Sequence, residues 1–230
     1  MKIHRGDLPT SYGRKRYYTP ADIAVHSKNN DCWVAIYDRV LDLTGLLSKE
    51  RSALSLPILK AAGTNITHWF ELDEEGLPTP KLFIDPELSN MRAPLCPNGR
   101  YLHLPSPIPD SDHRKDAVDL PWWRDPQYHI GGFASATRKV GVVNVLTNQT
   151  CILEVPVEET ISEISDRYIE YNYHAGSYTW KRLGKELDMD KTLEENGVAD
   201  EAQLLKSLDI DPDEHIPVVH LYFNDDLTEA

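Results

Sequence analysis

Histidine, cysteine and carboxylate side chains are the groups of this chain that could bind a metal or a cofactor. The sequence has nine histidines and three cysteines in 230 residues. Cys32, Cys96 and Cys151 are far apart and form no CxxC pair, whereas zinc sites draw on paired ligands at short spacing. Three histidines in the middle of the chain also lack such spacing, and we predict that they lie on the surface. They are His103, His113 and His129.

Carboxylates cluster near the end of the chain, in Asp209–His215, which has the outline of a calcium loop. Glu214 stands where the sharp turn of such a loop requires glycine, and no final acid follows at the right distance. We therefore expect no calcium or other metal site. The chain also has no P-loop, dinucleotide-binding fingerprint or nucleophile elbow, so we predict no catalytic residues and no enzymatic activity.

Two adjacent tryptophans, Trp122 and Trp123, are the strongest candidates for contacts with a partner. Aromatic anchors dominate the binding energy of many protein interfaces. The alternative is that the pair holds the proline-rich linker across the two domains of the same chain, because exposed tryptophans are costly. Both interpretations stay open from the sequence.

Composition sets the class of protein. Apolar residues make up 40% of the chain, charged residues make up 27%, and the formal net charge is −13, values typical of a globular protein. Such an acidic chain is a poor binder of nucleic acid, and no apolar stretch approaches membrane-spanning length. The first residues lack the apolar core of a signal peptide, so we expect a protein of the reducing cytoplasmic side with free thiols and no membrane partner.

The elements that position these residues fall into three zones. In the first zone, Thr19-Pro20 predicts a helix start, and alternating apolar residues over 33–43 predict a two-stranded hairpin. A short helix over 57–62 with Gly63 as its cap and a further helical turn over 64–70 complete this zone. In the second zone, repeated prolines forbid long regular elements, and only 100–104 could form a strand.

The third zone predicts a compact mixed unit. A strand over 139–146, a turn and a strand over 151–155 form a hairpin, and a helix follows with an apolar face of Ile161, Ile164, Tyr168 and Ile169. Further strands over 178–181 and 217–223 close the unit. This order of elements is that of a β-grasp fold.

The first zone resembles the cytochrome b5 domain over roughly 60 residues. The shared residues are Thr19-Pro20 with His26, then 30–34 (Asn-Asp-Cys-Trp-Val), then 40–44 (Val-Leu-Asp-Leu-Thr). In that family heme lies between two histidines, one in a His-Pro-Gly-Gly segment after the Leu-Thr pair and one after a Phe-Glu pair.

Neither ligand position holds a histidine in this chain. Residues 48–51 read Ser-Lys-Glu-Arg, and residues 72–75, after Phe70-Glu71, read Leu-Asp-Glu-Glu. Iron ligated on both faces needs an imidazole nitrogen on each, so we expect no tightly bound heme. His68 is the candidate for a single weak axial ligand, and its alternative is a structural histidine at a helix end. His26 belongs to the shared motif but not to a ligand position, and we predict that it is a structural residue that hydrogen-bonds a turn.

The third zone resembles ubiquitin over about the last 90 residues, with 183–198 (LGKELDMDKTLEENGV) carrying the likeness and an insertion near 200–215. The sequence ends without Gly-Gly, so we expect a fixed interaction module, not a conjugated modifier. We predict an α+β fold in four segments: an N-terminal arm (1–16), a cytochrome b5-like domain with a degenerate heme site (17–86), a Pro-rich wrapping linker (87–135) and a ubiquitin-like domain (136–230).

The whole chain is similar to a family of ciliary proteins that join these two domains. The resemblance implies a location in the axoneme of the cilium or flagellum, as part of the radial spokes that support its movement. It implies axonemal and radial spoke proteins as partners, within a large complex. It also implies a competing function, because a heme-linked redox role is proposed for some relatives.

Overall fold

The computed structural model describes residues 17–85, 91–94, 97–104 and 120–224. The chain forms two compact units. One runs from Pro20 to Phe133, and the other contains the chain from Ala134 onward together with the residues up to Thr19. Helices and strands are mixed in both units, so the predicted α+β class is confirmed. Of the described parts of the predicted linker (87–135), residues 91–94, 97–104 and 120–133 lie within the first unit, and residues 134–135 lie within the second.

The elements of the first unit are short. A two-residue strand, Tyr17–Tyr18 (β1), precedes it along the chain. Its α-helices are Pro20–Ala24 (α1), Thr44–Lys49 (α2) and Leu56–Lys60 (α3). Its strands are Ser27–Lys28 (β2), Asp31–Ile36 (β3), Arg39–Asp42 (β4), Thr64–Asn65 (β5), Phe70–Leu72 (β6), Pro78–Pro80 (β7), Leu82–Asp85 (β8), Met91–Pro94 (β9) and His129–Phe133 (β10). Single 3-10 turns span Ala53–Ser55, Thr67–Trp69 and Pro126–Tyr128.

The sheet of the first unit is centred on the predicted hairpin. β3 and β4 pair antiparallel through a two-residue turn, with Ile36 opposite Arg39, and β10 pairs antiparallel with the free edge of β4. β5 runs parallel to β3. Val34, Ala35 and Ile36 are all buried, because helices and turns cover the sheet where β3 lies. The helix start at Pro20 and the left-handed cap at Gly63 (φ 76°) agree with the prediction.

One predicted element of the first unit is wrong, and another is shorter than predicted. The segment 100–104 is a turn and not a strand, because His103 takes a left-handed backbone conformation (φ 65°) and the Leu104 N–H donates to the Tyr101 carbonyl at 3.2 Å. The helical turn expected over 64–70 shortens to Thr67–Trp69. The turn begins later than predicted because Thr64 and Asn65 pair with β3 as a short strand.

The second unit contains the predicted hairpin, helix and closing strands. Its elements are Thr137–Asn144 (β11), Gln149–Pro156 (β12), Ile161–Tyr168 (α4), Tyr178–Arg182 (β13), Lys185–Glu186 (β14), Ala202–Ser207 (α5) and Val218–Phe223 (β15), with 3-10 turns at Ala175–Ser177 and Pro212–His215. The strands lie in the order β12-β11-β15-β13-β14. β11 and β15 are parallel, and every other neighbouring pair is antiparallel.

Helix α4 packs its apolar face on this sheet. Ile161, Ile164 and Tyr168 are buried in one core with Trp180 and Leu221. The helix begins with a capping box, in which the Thr160 hydroxyl accepts from the Glu163 N–H and the Glu163 carboxylate accepts from the Thr160 N–H. Glu159, which is almost fully buried, accepts a bifurcated hydrogen bond from the Arg167 Nε–H, with its two carboxylate oxygens at 2.9 and 2.7 Å, so its charge is paired inside the unit.

Candidate functional site

The first segment where the cytochrome b5 family places a heme ligand is a polar turn between α2 and α3. Ser52 caps the 3-10 turn that follows it, since its hydroxyl accepts from the Leu54 N–H at 3.3 Å, and the Ser55 hydroxyl donates to the Ser52 carbonyl at 2.6 Å. A groove of about 540 Å³ lies beside this turn. Its lining residues are Asn29, Asn30, Thr44, Leu47, Ser48, Arg51, Ser52, Ser55, Leu56 and Leu59. None of them is a histidine.

The second segment is a closed acidic turn between β6 and β7. Asp73 accepts hydrogen bonds from the N–H groups of Glu75 and Leu77 at 3.0 and 2.8 Å. Arg124 donates to the other carboxylate oxygen of Asp73 at 2.7 Å and to the Pro78 carbonyl at 2.9 Å. The Leu77 N–H bond, followed by the Glu75 N–H and Arg124, holds the pKa of Asp73 below its ordinary value. This carboxylate is engaged in closing its own turn.

His68, the predicted weak axial ligand, lies at the surface next to this turn. Its ring is exposed and makes an edge contact with Trp69, with 6.2 Å between ring centroids. It lines a shallow depression together with Tyr37, Phe70 and Lys81. No second histidine is among the lining residues of this depression. Among the described residues, His68 thus has aromatic neighbours but no second histidine beside it in this depression.

His26 has a structural role in the first unit. Its Nδ1 is 2.7 and 2.8 Å from the two carboxylate oxygens of Asp31, and its ring stacks on Trp33 with 3.5 Å between centroids. The Trp33 N–H also donates to the His26 carbonyl at 3.0 Å. These contacts join the end of α1 to the start of β3, in line with the turn-forming interpretation of this residue.

Trp122 and Trp123 lie in the core of the first unit, 0% and 5% exposed. The Trp122 indole N–H donates to the Leu102 carbonyl at 3.1 Å. Both rings contact Phe70, with centroid distances of 6.1 and 5.7 Å, and both contact Tyr101 at 6.1 Å. Buried rings offer no docking surface on the folded unit, which argues against the partner-binding prediction and for a packing role.

His103 takes part in this arrangement in a way that the sequence did not reveal. Its Nδ1 accepts a hydrogen bond from the Trp122 N–H at 3.1 Å, so this nitrogen carries no proton in the bonded state. The surface position predicted for His103 is therefore wrong: it is partly buried and joins the turn at 101–104 to the tryptophan pair. No local pattern links these residues, because the bond spans 19 positions. His129 is exposed, as predicted, and His113 and Cys96 lie outside the described residues.

A heme ligated on both faces does not fit the described residues. Phe70 and Trp69 border the second ligand segment, and Tyr101 packs on both of them at 6.3 and 5.1 Å. Together with the two tryptophans, Tyr101 fills the apolar volume on that side with protein side chains. The donor set is also wrong in kind, because Ser-Lys-Glu-Arg (48–51) and Leu-Asp-Glu-Glu (72–75) stand where two imidazoles are required. The described residues thus form a filled aromatic core in this region.

The two cysteine thiols among the described residues, Cys32 and Cys151, are not activated. Burial raises the pKa of Cys32 to about 12, with Asp42 and Asp31 adding to the effect. Burial likewise raises the pKa of Cys151 to about 11. A reactive or metal-binding cysteine needs a thiolate, so both side chains act as small apolar groups.

Among the described residues, no group of three or more His, Cys, Asp or Glu side chains could hold a metal ion. The calcium-like segment forms a 3-10 turn, Pro212–His215, in which Asp211 caps the Asp213 N–H at 2.9 Å. Asp213 pairs with Lys139 at 2.6 Å. Within the part of the chain that the structure describes, no helix is both long enough and apolar enough to cross a bilayer.

Comparison with known proteins places these features in a family. A profile described as "Cytochrome b5-like Heme/Steroid binding domain" matches residues 19–73. The chain is 44% identical over 219 residues to cytochrome b5 domain-containing protein 1 of Homo sapiens, covering 95% of this chain and 94% of the relative. It is 46% identical over 217 residues to the protein of the same name in Xenopus laevis, covering 94% and 98%. A cytochrome B5-like protein of Arabidopsis thaliana is 37% identical over 57 residues, 25% of this chain and 46% of that protein.

Proposed function

The chain belongs to the family of cytochrome b5 domain-containing protein 1, and from that premise we propose that it is a structural subunit of the ciliary axoneme. In this proposal it is a radial spoke component that docks other spoke proteins within a large complex and supports movement of the cilium. It has no catalytic role. The first unit contributes a cytochrome b5 fold kept for its shape, and the second unit contributes an interaction module.

The filled core of the first unit carries this proposal. Tyr101, Trp122 and Trp123 lie beyond residues 19–73, the extent of the family profile, yet they are buried against Phe70. A heme held between two imidazoles needs an open cavity to lie in. A b5 fold sealed by its own aromatic side chains has lost this purpose, and its surface remains available for protein contacts.

We also propose that the second unit is a ubiquitin-like module. Its strand order, β12-β11-β15-β13-β14, and its parallel pair of β11 and β15 support this assignment. The helix that follows the first hairpin, α4, packs on the same sheet. The likeness of 183–198 to the ubiquitin sequence adds to this support.

Localisation tests the axonemal proposal. We expect a tagged full-length chain in ciliated cells to stay with the axoneme after detergent extraction of membrane and matrix. Deletion of its gene should slow or stop beating while the cilium still assembles. Complete extraction with the membrane and matrix, or normal beating in its absence, would refute the proposal.

A heme-binding redox function is the second candidate, favoured by the heme-binding description of the profile that matches residues 19–73. Titration of the purified chain with hemin separates the two. The filled core predicts no stoichiometric Soret band. A 1:1 band that is lost in His68→Ala and kept in His129→Ala, an equally exposed histidine, would establish the heme function and overturn the docking interpretation of this unit.

A further inference from the structure

Helix α5 and the turns around it expose apolar side chains that are not buried in a core. The helix spans Ala202–Ser207, and none of its residues is buried. Leu204 and Leu208 are 59% and 60% exposed, and Ile210 is 37% exposed. We call these three side chains the α5 surface. Single exposed leucines are ordinary, but three large apolar side chains within seven residues are a continuous patch.

The geometry presents the three side chains as one ridge. Leu204 and Leu208 are four residues apart, and the Leu208 N–H donates to the Leu204 carbonyl at 3.2 Å, so both lie on the same side of the helix. Ile210 follows a left-handed Asp209 (φ 59°), and its N–H returns to the Leu205 carbonyl at 3.0 Å. This is the 6→1 hydrogen bond of a Schellman motif at the C-terminus of a helix. It holds Ile210 next to the last turn.

The segment is held on the second unit by its far end. Lys139 of β11 donates to Asp213 at 2.6 Å, and Leu205, which is partly buried, lines a cavity together with Arg138 and Pro217. A helix of six residues is too short to be stable by itself, so these anchors fix its position. They leave the α5 surface facing away from the unit.

Charge around the α5 surface is strongly one-sided. Six carboxylates and one lysine lie between Asp200 and His215. The carboxylate-bearing residues are Asp200, Glu201, Asp209, Asp211, Asp213 and Glu214, and all of them are exposed. An apolar ridge with an acidic rim complements an apolar stripe flanked by lysine and arginine. A second copy of this chain carries the same acidic rim and a net charge of −13, so its approach to this surface is repelled.

We propose that the α5 surface docks a basic amphipathic helix of a partner protein. The leucine ridge packs against the apolar stripe of that helix, and the carboxylates of the rim face its lysine and arginine side chains. This inference rests on the proposed docking function and assigns it a site. The site lies in the insertion at 200–215, on the second unit.

A synthetic helix tests the proposal directly. The probe is a fluorescent peptide of about 18 residues with leucines on one face and lysines flanking them, and its anisotropy is followed as full-length chain is added. We expect Leu204→Ser/Leu208→Ser to weaken binding by about 10-fold or more. Leu183→Ser, a change at a leucine that is 91% exposed elsewhere on the same unit, should alter it by less than about 2-fold.

Further variants separate the contribution of the leucine side chains to binding from that of the surrounding carboxylates. Asp209→Asn/Asp211→Asn/Glu214→Gln should weaken binding and flatten its salt dependence. Equal affinity for a scrambled peptide of the same composition would overturn the proposal, as would unchanged binding in the double serine variant. If the wild-type chain forms dimers and the double serine variant is monomeric, the α5 surface binds a second copy of the chain. Tighter binding after removal of residues 1–16, which carry five basic residues, would assign it to the chain's own arm, and either result also overturns the proposal.

The same variants in ciliated cells distinguish this inference from the function on which it rests. Leu204→Ser/Leu208→Ser should lower recovery in the axoneme, and Leu183→Ser should not. A wild-type chain that is absent from the axoneme refutes the axonemal function whatever the peptide does. A wild-type chain that is present in the axoneme but does not bind the peptide refutes only the α5 surface.

Discussion

Two histidines of the first unit make contacts that stabilise its fold. His26 is bonded to Asp31 and stacked on Trp33, and His103 accepts from the Trp122 backbone. His68 is exposed beside Trp69. A bis-histidine heme site needs two free imidazole nitrogens facing one cavity. At this scale, His26 and His103 act in packing and in turn closure.

The thiols provide a test at the residue scale. With pKa values of about 12 for Cys32 and about 11 for Cys151, both are protonated near pH 8. We expect iodoacetamide to leave both unmodified in the native chain and to modify both after denaturation, as mapped by mass spectrometry. Rapid native modification of either one would show a thiolate and would support a redox role.

Asp73 provides a pH-dependent test. Its pKa is lowered in the folded chain from an ordinary value of 3.8. The stability that it contributes is therefore present above about pH 4 and is lost as the pH falls through the lowered value. We expect Asp73→Asn to make the unfolding midpoint less dependent on pH in that acidic window than in wild type, as measured by circular dichroism. Asp38→Asn, at an exposed carboxylate on the same unit, serves as the matched control. Identical pH slopes for wild type and Asp73→Asn would contradict the role of this turn.

At the scale of elements, the hairpin of β13 and β14 has an unusual turn. β13 and β14 are joined by Leu183 and Gly184, with Arg182 opposite Lys185. Both turn residues have positive φ values, 49° and 78°, which indicates the primed turn that suits the twist of a hairpin. Asparagine followed by glycine is the usual choice for such a turn, because a leucine side chain clashes with its own backbone in this conformation.

Leu183 is therefore a site where stability can be gained. We expect Leu183→Asn to raise the free energy of unfolding by about 1 kcal/mol, because asparagine tolerates the left-handed conformation. Leu183→Ala removes the same exposed side chain but keeps the backbone strain, so it should change stability little. Chemical denaturation measures both variants. Equal stability of the two variants would show that the backbone conformation is not the cause.

At the scale of the whole molecule, the first unit is larger than its family match. The profile ends at residue 73, but β10 adds a strand to the edge of β4. Tyr101, Leu102, Leu104, Trp122 and Trp123 join the same core. Removing them would expose Phe70 and Trp69, which are 0% and 1% exposed in the folded unit. The fold of the first unit thus depends on a segment that composition alone marks as a linker.

Fragments test this dependence. A fragment of residues 20–86 should unfold without a cooperative transition, because it lacks the aromatic rings that cover its core. A fragment of residues 20–133 should melt cooperatively, as followed by calorimetry. A cooperative transition of similar enthalpy per residue in the shorter fragment would show that the added aromatic residues are dispensable.

The sequence by itself determined the local elements. Alternating apolar residues predicted the β3–β4 hairpin and the strands of the second unit, and Pro20 and Gly63 marked a helix start and a helix cap. These features depend on backbone preferences and on periodicity over a few residues, which a single sequence displays directly. The absence of histidine from residues 48–51 and 72–75 was equally visible, since it is a matter of residue type at those positions.

Only the tertiary structure decided what fills the space beside Phe70 and what Trp122 contacts. The bonds from Trp122 to Leu102 and His103 span 20 and 19 residues, and the contact between Phe70 and Trp123 spans more than 50. Contacts at such separations leave no periodic trace in a sequence, because they depend on how the chain closes its loops. For the same reason, the sequence alone could not show that the two tryptophans are buried or that Leu204 and Leu208 are exposed.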